Sequence, residues 1–212
     1  MKNLDKYLKE DFTSIAGWCN PNTFDILKYM WVLQDRIGAK GPVAEFGVYE
    51  GKFFAGLNNL PTGGGRNLAV DVFGQPELIA DKTKAPEKKK FEDNVNRTNY
   101  ANSDFDVLVS DSLMLSPAEL RREYGQFRAI SVDGGHLLEN VVHDFSIAEE
   151  LVSSAGMAIF DDVFNPRWPE VTEAISRAYI LGTPKIVPLY YAFNKMIAVP
   201  FTHHDYFYTE LV

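Results

Sequence analysis

The sequence predicts an α/β fold: a mostly parallel sheet with helices on both faces. Three observations carry this. Short apolar runs of strand length alternate with longer segments of helical periodicity along most of the chain. The runs end in a carboxylate or a glycine turn, as "AISVDGGH" and "GMAIFDD" do, and open parallel sheets bind ligands at that end of their strands. The last stretch, "KIVPLYYAFNKMIAV", places two strands in succession, so an antiparallel edge breaks the alternation.

The elements follow in order. "NPNTFDILKYMWVLQDRI" predicts a helix over 20–37, with cap-type asparagines at its start and Ile26, Met30, Leu33 and Ile37 on one face. Gly38 and Gly41 end it. "PVAEFG" is the first strand, "VYEG" its turn, and a helix runs on through Leu60. "TGGGR" is a loop and "NLAVDVF" the second strand. The stretch 74–90 is irregular and polar, and Lys82, Lys84 and Lys88 to Lys90 read as a solvated helix start. A helix near "FEDNVNRT" and the third strand, "FDVLVSD", come next. "SPAELRREYG" carries its own start signal: Ser116 and Glu119 form a capping box, and Pro117 takes the first helical position. "RAISVDG" is the fourth strand, and the helix after it presents Val141, Phe145, Ala148 and Val152 as a stripe. "GMAIFDD" is the fifth strand and "WPEVTEAISRAYILG" a further helix. The last two strands join tightly around Ala192 to Asn194. "THHDY" reads as a loosely ordered tail.

The bulk properties bound the function. The chain has 212 residues, 46% of them hydrophobic, which suits one domain over 1–212 with an N-terminal helical cap over about 1–40. A net charge of −8 argues against a nucleic-acid partner, which needs a basic face. Cys19 is the single cysteine, so no internal disulfide forms, and a reducing cytoplasm is expected. The start "MKNLDKYLKEDF" lacks the apolar core of a signal peptide. No segment approaches the ~20 apolar residues of a membrane span. The apolar N-terminal helix and aromatic tail would suit a homodimer.

The strand ends collect the chemistry. They are Glu45, Gly47 and Gly51 after the first strand, Asp71 after the second, Asp111 and Ser112 after the third, Asp133 and His136 after the fourth, and Asp161 and Asp162 after the fifth. Aspartate is common in turns, which explains any one of them. It explains the set poorly, because buried carboxylates are costly unless paired or bound to a cation. Gly47 and Gly51 are spaced G-x-x-x-G, not G-x-G-x-x-G, which disfavours a nicotinamide dinucleotide. Asp71 lies 20 residues beyond Gly51, and an acid there can accept both hydroxyls of a ribose. A nucleoside ligand is expected.

From about residue 17 to 200, "VAEFGVYEGKFFAGL", "AVDVF", "FDVLVSDS" and "SVDGGHLLENVVHDFSIAEELVSSAGMAIFDDVFNPRWP" together resemble the class I S-adenosylmethionine-dependent methyltransferases, in particular small bacterial types with D-G-x-H and D-D strand ends. The resemblance implies a Rossmann-like, seven-stranded sheet of order 3-2-1-4-5-7-6 with an antiparallel last strand. It places Glu45, Gly47 and Gly51 at the methionine moiety, Asp71 on the ribose, and Asp111 and Ser112 near the adenine, and counts Asp133 among the cofactor-binding residues. Catechol-type and sugar O-methyltransferases are similar in setting an acid after strand four and an acid pair after strand five around a divalent ion. Asp133, Asp161 and Asp162 match that pattern, and hard oxygen donors suit Mg2+. The catechol-type base lies three residues after the strand-four acid, which here is His136; the sugar-type aspartate position is Gly135.

The expected activity is therefore S-adenosylmethionine-dependent methylation of a small molecule, most simply Mg2+-assisted O-methylation with His136 as general base and Asp133 beside it. Two alternatives stay open. One is a metal-independent N-methyltransferase whose acids bind an amine. The other is a non-catalytic nucleoside-binding module. His143 and Asp144 read as structural or surface residues. Trp18, Trp168, Tyr190 and Tyr191 are candidates for the acceptor pocket or for plain packing.

Overall fold

Strand residues point alternately to opposite faces, so a strand buried on both sides must be apolar on both. A computed structural model, describing residues 1–74 and 86–211, forms such strands. These are β1 (Val43–Phe46), β2 (Asn67–Asp71), β4 (Phe127–Val132), β5 (Val152–Asp161) and β7 (Lys195–Pro200), while the edge strands β3 (Phe105–Val109) and β6 (Ile186–Ala192) are less buried. The sheet order is β3-β2-β1-β4-β5-β7-β6. β1 to β5 run parallel, and β7 is antiparallel to both β5 and β6. This is the expected order. Chain direction across the sheet reverses between β1 and β4, and ligands favour that crevice.

The helices are α1 (Lys2–Glu10), α2 (Thr23–Arg36), α3 (Lys52–Asn58), α4 (Lys88–Arg97), α5 (Pro117–Tyr124), α6 (Leu138–Leu151), α7 (Pro169–Leu181) and α8 (His204–Leu211). The alternation of the strands sorts the core into layers. Ile130, Val132, Ala158, Phe160 and Ala198 pack with Val141 and Phe145 of α6 and Val171 and Ile175 of α7. Their neighbours Ala129, Met157, Ile159, Ile197 and Val199 pack with Leu4 of α1, Leu27 and Met30 of α2, and Phe207 of α8. Each large apolar side chain so buried contributes on the order of 1.5–3 kcal/mol. No helix among the described residues is long and apolar enough to cross a membrane.

Arg128 of β4 is a buried cation inside this core. It donates to Gln34 Oε1, the Trp31 carbonyl and Asp35 Oδ1 at 2.8–2.9 Å, and its guanidinium lies 4.0 Å over the Trp31 ring. It ties α2 to the sheet.

Local details depart from the sequence expectations. α2 buries Phe24, Leu27, Met30, Trp31 and Leu33, whereas Ile26 is half-buried and Ile37 is exposed beyond the last turn. The face has turned toward Phe24 and Trp31, whose rings bury more area. Val152 is the first residue of β5, not the end of the α6 stripe. "THHDY" is ordered: a short 310 turn, Phe201–His203, leads into α8, and Phe207 anchors that helix in the core. The start of α5 is as expected, with Ser116 Oγ accepting from the Glu119 amide. Lys88 and Lys89 at the start of α4 pair with Glu92 and Asp93 one turn on. Lys82, Lys84 and most of the irregular stretch 74–90 lie outside the described residues.

Candidate active site

A cavity of about 670 Å³ opens over the carboxyl ends of the central strands. Glu45, Gly47, Asp71, Asp111, Ser112, Asp133, His136, Asp161 and Asp162 all line it. Gly51 does not. It begins α3 with φ +91, and a side chain there would press on Phe91 and Val95.

The first turn is drawn tight by its neighbours. Gly47 has φ +84, and a Cβ on it would lie 2.0 Å from the Asp133 carbonyl oxygen. The turn after β1 and the loop after β4 therefore touch backbone to backbone, which only glycine permits. Asp71 fastens the same turn: its Oδ2 accepts from the amides of Val48 and Tyr49, both at 2.9 Å, and its Oδ1 from the Phe73 amide at 3.2 Å. Burial raises the Asp71 carboxyl above its ordinary range, against the pull of these amides. Glu45 is almost fully buried below the turn. Burial pushes its carboxyl up to about 8, although nearby Lys195 opposes the shift. Asp111 Oδ1 accepts from the Leu113 amide and starts the turn that carries Ser112. Asp144 is a correction to its surface alternative: it is buried, and burial pushes it up to about 6.

At the ends of β4 and β5 the carboxylates are bound to partners. Asp161 Oδ2 lies 2.7 Å from Lys195 Nζ, and its Oδ1 accepts from the Asp162 amide and from Asn194 Nδ2. Asp162 sits in the left-handed region at φ +59, a strained conformation of the kind found at functional sites. Its Oδ1 accepts from Asn165 Nδ2 and Asn194 Nδ2, both at 2.5 Å, and its Oδ2 lies 3.0 Å from His136 Nε2. Burial acts to raise Asp162, but the bonds from His136 and the two asparagines outweigh it and bring the carboxyl down to about 2. Asp133 is pushed well above the carboxylate range by burial and by Asp161. The His136 ring stacks on Trp168, centroids 4.2 Å apart and 9° from parallel.

Among the described residues, one donor group has the spacing of a cation site: one atom each from Asp133, His136 and Asp162, all within 4.8 Å of one another. Two oxygens and an imidazole fit a divalent ion chemically. Asp161, the third expected carboxylate, faces Lys195 instead.

Lys195 was missed in the sequence, and so were Asn165 and Asn194. The available signal was a lysine inside the apolar run "AFNKMIAV", since a charge in a buried strand needs a reason. Of the aromatic candidates, Trp18 and Trp168 line the cavity. Tyr190 and Tyr191 are outside its lining, and Tyr191 packs edge-on against Phe164.

Comparison with known proteins follows this geometry. No curated protein matches the sequence. Solved structures are similar in fold at low identity. CalS11, a TDP-rhamnose 3'-O-methyltransferase of calicheamicin biosynthesis, is 14% identical with a TM-score of 0.58, over 94% of this chain and 92% of that one. An O-methyltransferase from Bacillus cereus, solved in complex with SAH, is 17% identical with a TM-score of 0.59, over 93% and 90%. MycE, a mycinamycin-pathway methyltransferase solved with Mg and SAH, is 14% identical with a TM-score of 0.59, over 93% of this chain but 53% of that one. The family model described as a methyltransferase domain matches residues 44–163, from β1 to just past β5. With that match over more than half its length, and with the seven-stranded order of the sheet, the chain belongs to the methyltransferase-domain family and has the class I S-adenosylmethionine-dependent methyltransferase fold.

Proposed function

We propose that the protein transfers the methyl group of S-adenosylmethionine to an oxygen of a small molecule, with His136 as the general base. The observation that carries this reading is the Asp162–His136–Trp168 arrangement in the wall of the cavity that also holds Glu45, Gly47 and Asp71. A carboxylate bonded to one ring nitrogen fixes the tautomer and orientation of a histidine base. The imidazole oriented in this way is the proposed base. It takes the acceptor's hydroxyl proton as the oxygen forms its bond to the methyl carbon. The carbon–sulfur bond breaks, and S-adenosylhomocysteine leaves as a neutral thioether. Asp162 stabilises the imidazolium that results. Asp71 is proposed at the ribose, Glu45 and Gly47 at the methionine end, and Asp111 and Ser112 at the adenine. Asp133 is proposed as a further cofactor-binding residue, beside His136. Alignment of the two reactants supplies most of the remaining rate.

A second reading is favoured by the Asp133, His136 and Asp162 donor group. Here Asp133 and Asp162 would hold Mg2+, with His136 or Asp161 completing the set. Bound Mg2+ would orient an acceptor hydroxyl and lower its pKa. MycE, solved with Mg, lends this reading support at the level of fold. The amine-binding alternative is weakened, because the acidic pocket already contains an ammonium of the chain's own, Lys195.

The test is calorimetric titration of S-adenosylmethionine and S-adenosylhomocysteine, followed by turnover of a panel of hydroxylated small molecules with and without a chelator. Binding of both nucleosides and turnover of a hydroxyl acceptor support the proposal. Failure to bind either one overturns it.

A further inference from the structure

Strand pairing delivers a cation to the centre of the acidic site. β5 and β7 are antiparallel, and Lys195 stands directly opposite Asp161 in their register. Lys195 Nζ lies 2.7 Å from Asp161 Oδ2 and 3.7 Å from Asp133 Oδ2. The side chain is only 3% exposed, and its ammonium lies 4.4 Å over the Phe53 ring. A buried ammonium is tolerated only when paired. This one is paired with two of the three carboxylates that the sequence offers to a metal.

We propose that Lys195 is the resident cation of this site, holding Asp133 and Asp161 in the place where a divalent ion would otherwise stand. The inference rests on the methyltransferase reading and deepens its first, metal-free form. A divalent ion beside Asp133 would lie close to this fixed positive charge, and like charges repel strongly where water is excluded. Asp162 is committed as well, to Asn165 and Asn194 through Oδ1 and to His136 through Oδ2.

Lys195 is thus a positioning residue, acting through its neighbours. Its pair with Asp161 fixes the start of β7. That places Asn194, which donates to both Asp161 and Asp162, and Asp162 in turn holds His136. The β6–β7 hairpin thereby helps to set the proton-transfer geometry.

The test uses Mn2+ as probe, followed by the loss of the free ion's electron paramagnetic resonance signal. Wild type, Lys195→Met and Lys195→Arg are compared, with S-adenosylhomocysteine binding as a separate readout of each. Wild type and Lys195→Arg are expected to leave the Mn2+ signal unchanged at millimolar protein. Lys195→Met frees both carboxylates and should bind Mn2+ at least about tenfold more tightly than wild type. If Lys195→Met does not fold, the double variant Lys195→Met/Asp161→Asn removes both charges and should show the same gain through Asp133, His136 and Asp162. Micromolar Mn2+ binding by wild type that is lost in Asp133→Asn would overturn the proposal. So would a folded Lys195→Met that binds Mn2+ no better than wild type. Failure of wild type to bind S-adenosylhomocysteine would instead sink the methyltransferase reading, and the Mn2+ result would still stand on its own.

Discussion

His136 lies flat on the indole of Trp168, its ring centroid 4.2 Å away, while its Nε2 is held by Asp162 at 3.0 Å. One contact fixes the plane of the imidazole and the other its rotation within that plane. His136→Ala should lower kcat by about 100-fold or more, as loss of a general base does. Affinity for S-adenosylhomocysteine should stay within about twofold. Trp168→Phe should keep most of the activity, and Trp168→Ala should lose roughly tenfold, because a looser base is misplaced in most encounters. Steady-state kinetics and calorimetry on the same samples check this. An equal loss in rate and nucleoside affinity would place His136 in cofactor binding.

Asp71 serves the fold as well as its proposed ligand. Its three amide contacts span the turn after β1 and the end of β2. Asp71→Ala should destabilise the protein by about 2–4 kcal/mol, the order expected when charged hydrogen bonds to buried amides are lost. It should also abolish S-adenosylhomocysteine binding. Urea unfolding and calorimetry measure the two effects separately, and lost binding at unchanged stability would limit Asp71 to the ligand.

Gly47 and Gly125 make a matched pair. Both have positive φ, but a Cβ on Gly47 would strike the Asp133 carbonyl, while one on Gly125 meets nothing within 4 Å. Gly125→Ala should cost about 1–3 kcal/mol, the backbone penalty alone. Gly47→Ala should cost more than about 4 kcal/mol and give little folded protein. Comparable unfolding midpoints for the two variants would mean that the two loops separate easily.

Glu45 gives a pH signature. Its carboxyl is raised by burial to about 8. Below the ordinary glutamate range, near 4.3, folded and unfolded chains both hold the proton. As pH rises through that range toward 8, the unfolded chain gives the proton up while the folded one keeps it, so stability falls. Glu45→Gln has no such proton, and its Tm advantage over wild type should grow from pH 5 to pH 8. Asp162 acts at the other end. With its carboxyl down at about 2, its contribution is complete above the ordinary aspartate range and is lost as pH falls from about 4 toward 2. Thermal melts of the nucleoside-free protein across pH check both, and parallel curves for wild type and Glu45→Gln would mean that Glu45 is ionised in the fold.

Much of the architecture was legible because it depends on short-range pattern. Strand-length apolar runs alternating with helical stripes fix a parallel sheet, and the glycine and acid at each strand end mark the ligand side. The rest depended on register. Nothing local says that Lys195 faces Asp161 rather than solvent, because a shift of one residue in the β5–β7 pairing would turn it to the other face of the sheet. The orientation of α2 was misjudged for a related reason: Ile26 and Trp31 both satisfy a helical period, and only the volume of the neighbouring layer decides between them. Nor does sequence show that Asn165 and Asn194, 29 positions apart, converge on one oxygen of Asp162.

The place of β7 in the sheet has a consequence for how the chain assembles. β7 is last of the seven in sequence, yet it lies between β5 and β6. Among the described strands β6 pairs with β7 alone, so β6 takes its place in the sheet only when β7 docks on β5. Until then the edge of β5 is bare, and Asp133 and Asp161 lack their ammonium partner. Unpaired charge along an open edge discourages the wrong strand, or another chain, from docking there. The lysine that completes the site thus arrives with the strand that covers the edge of β5.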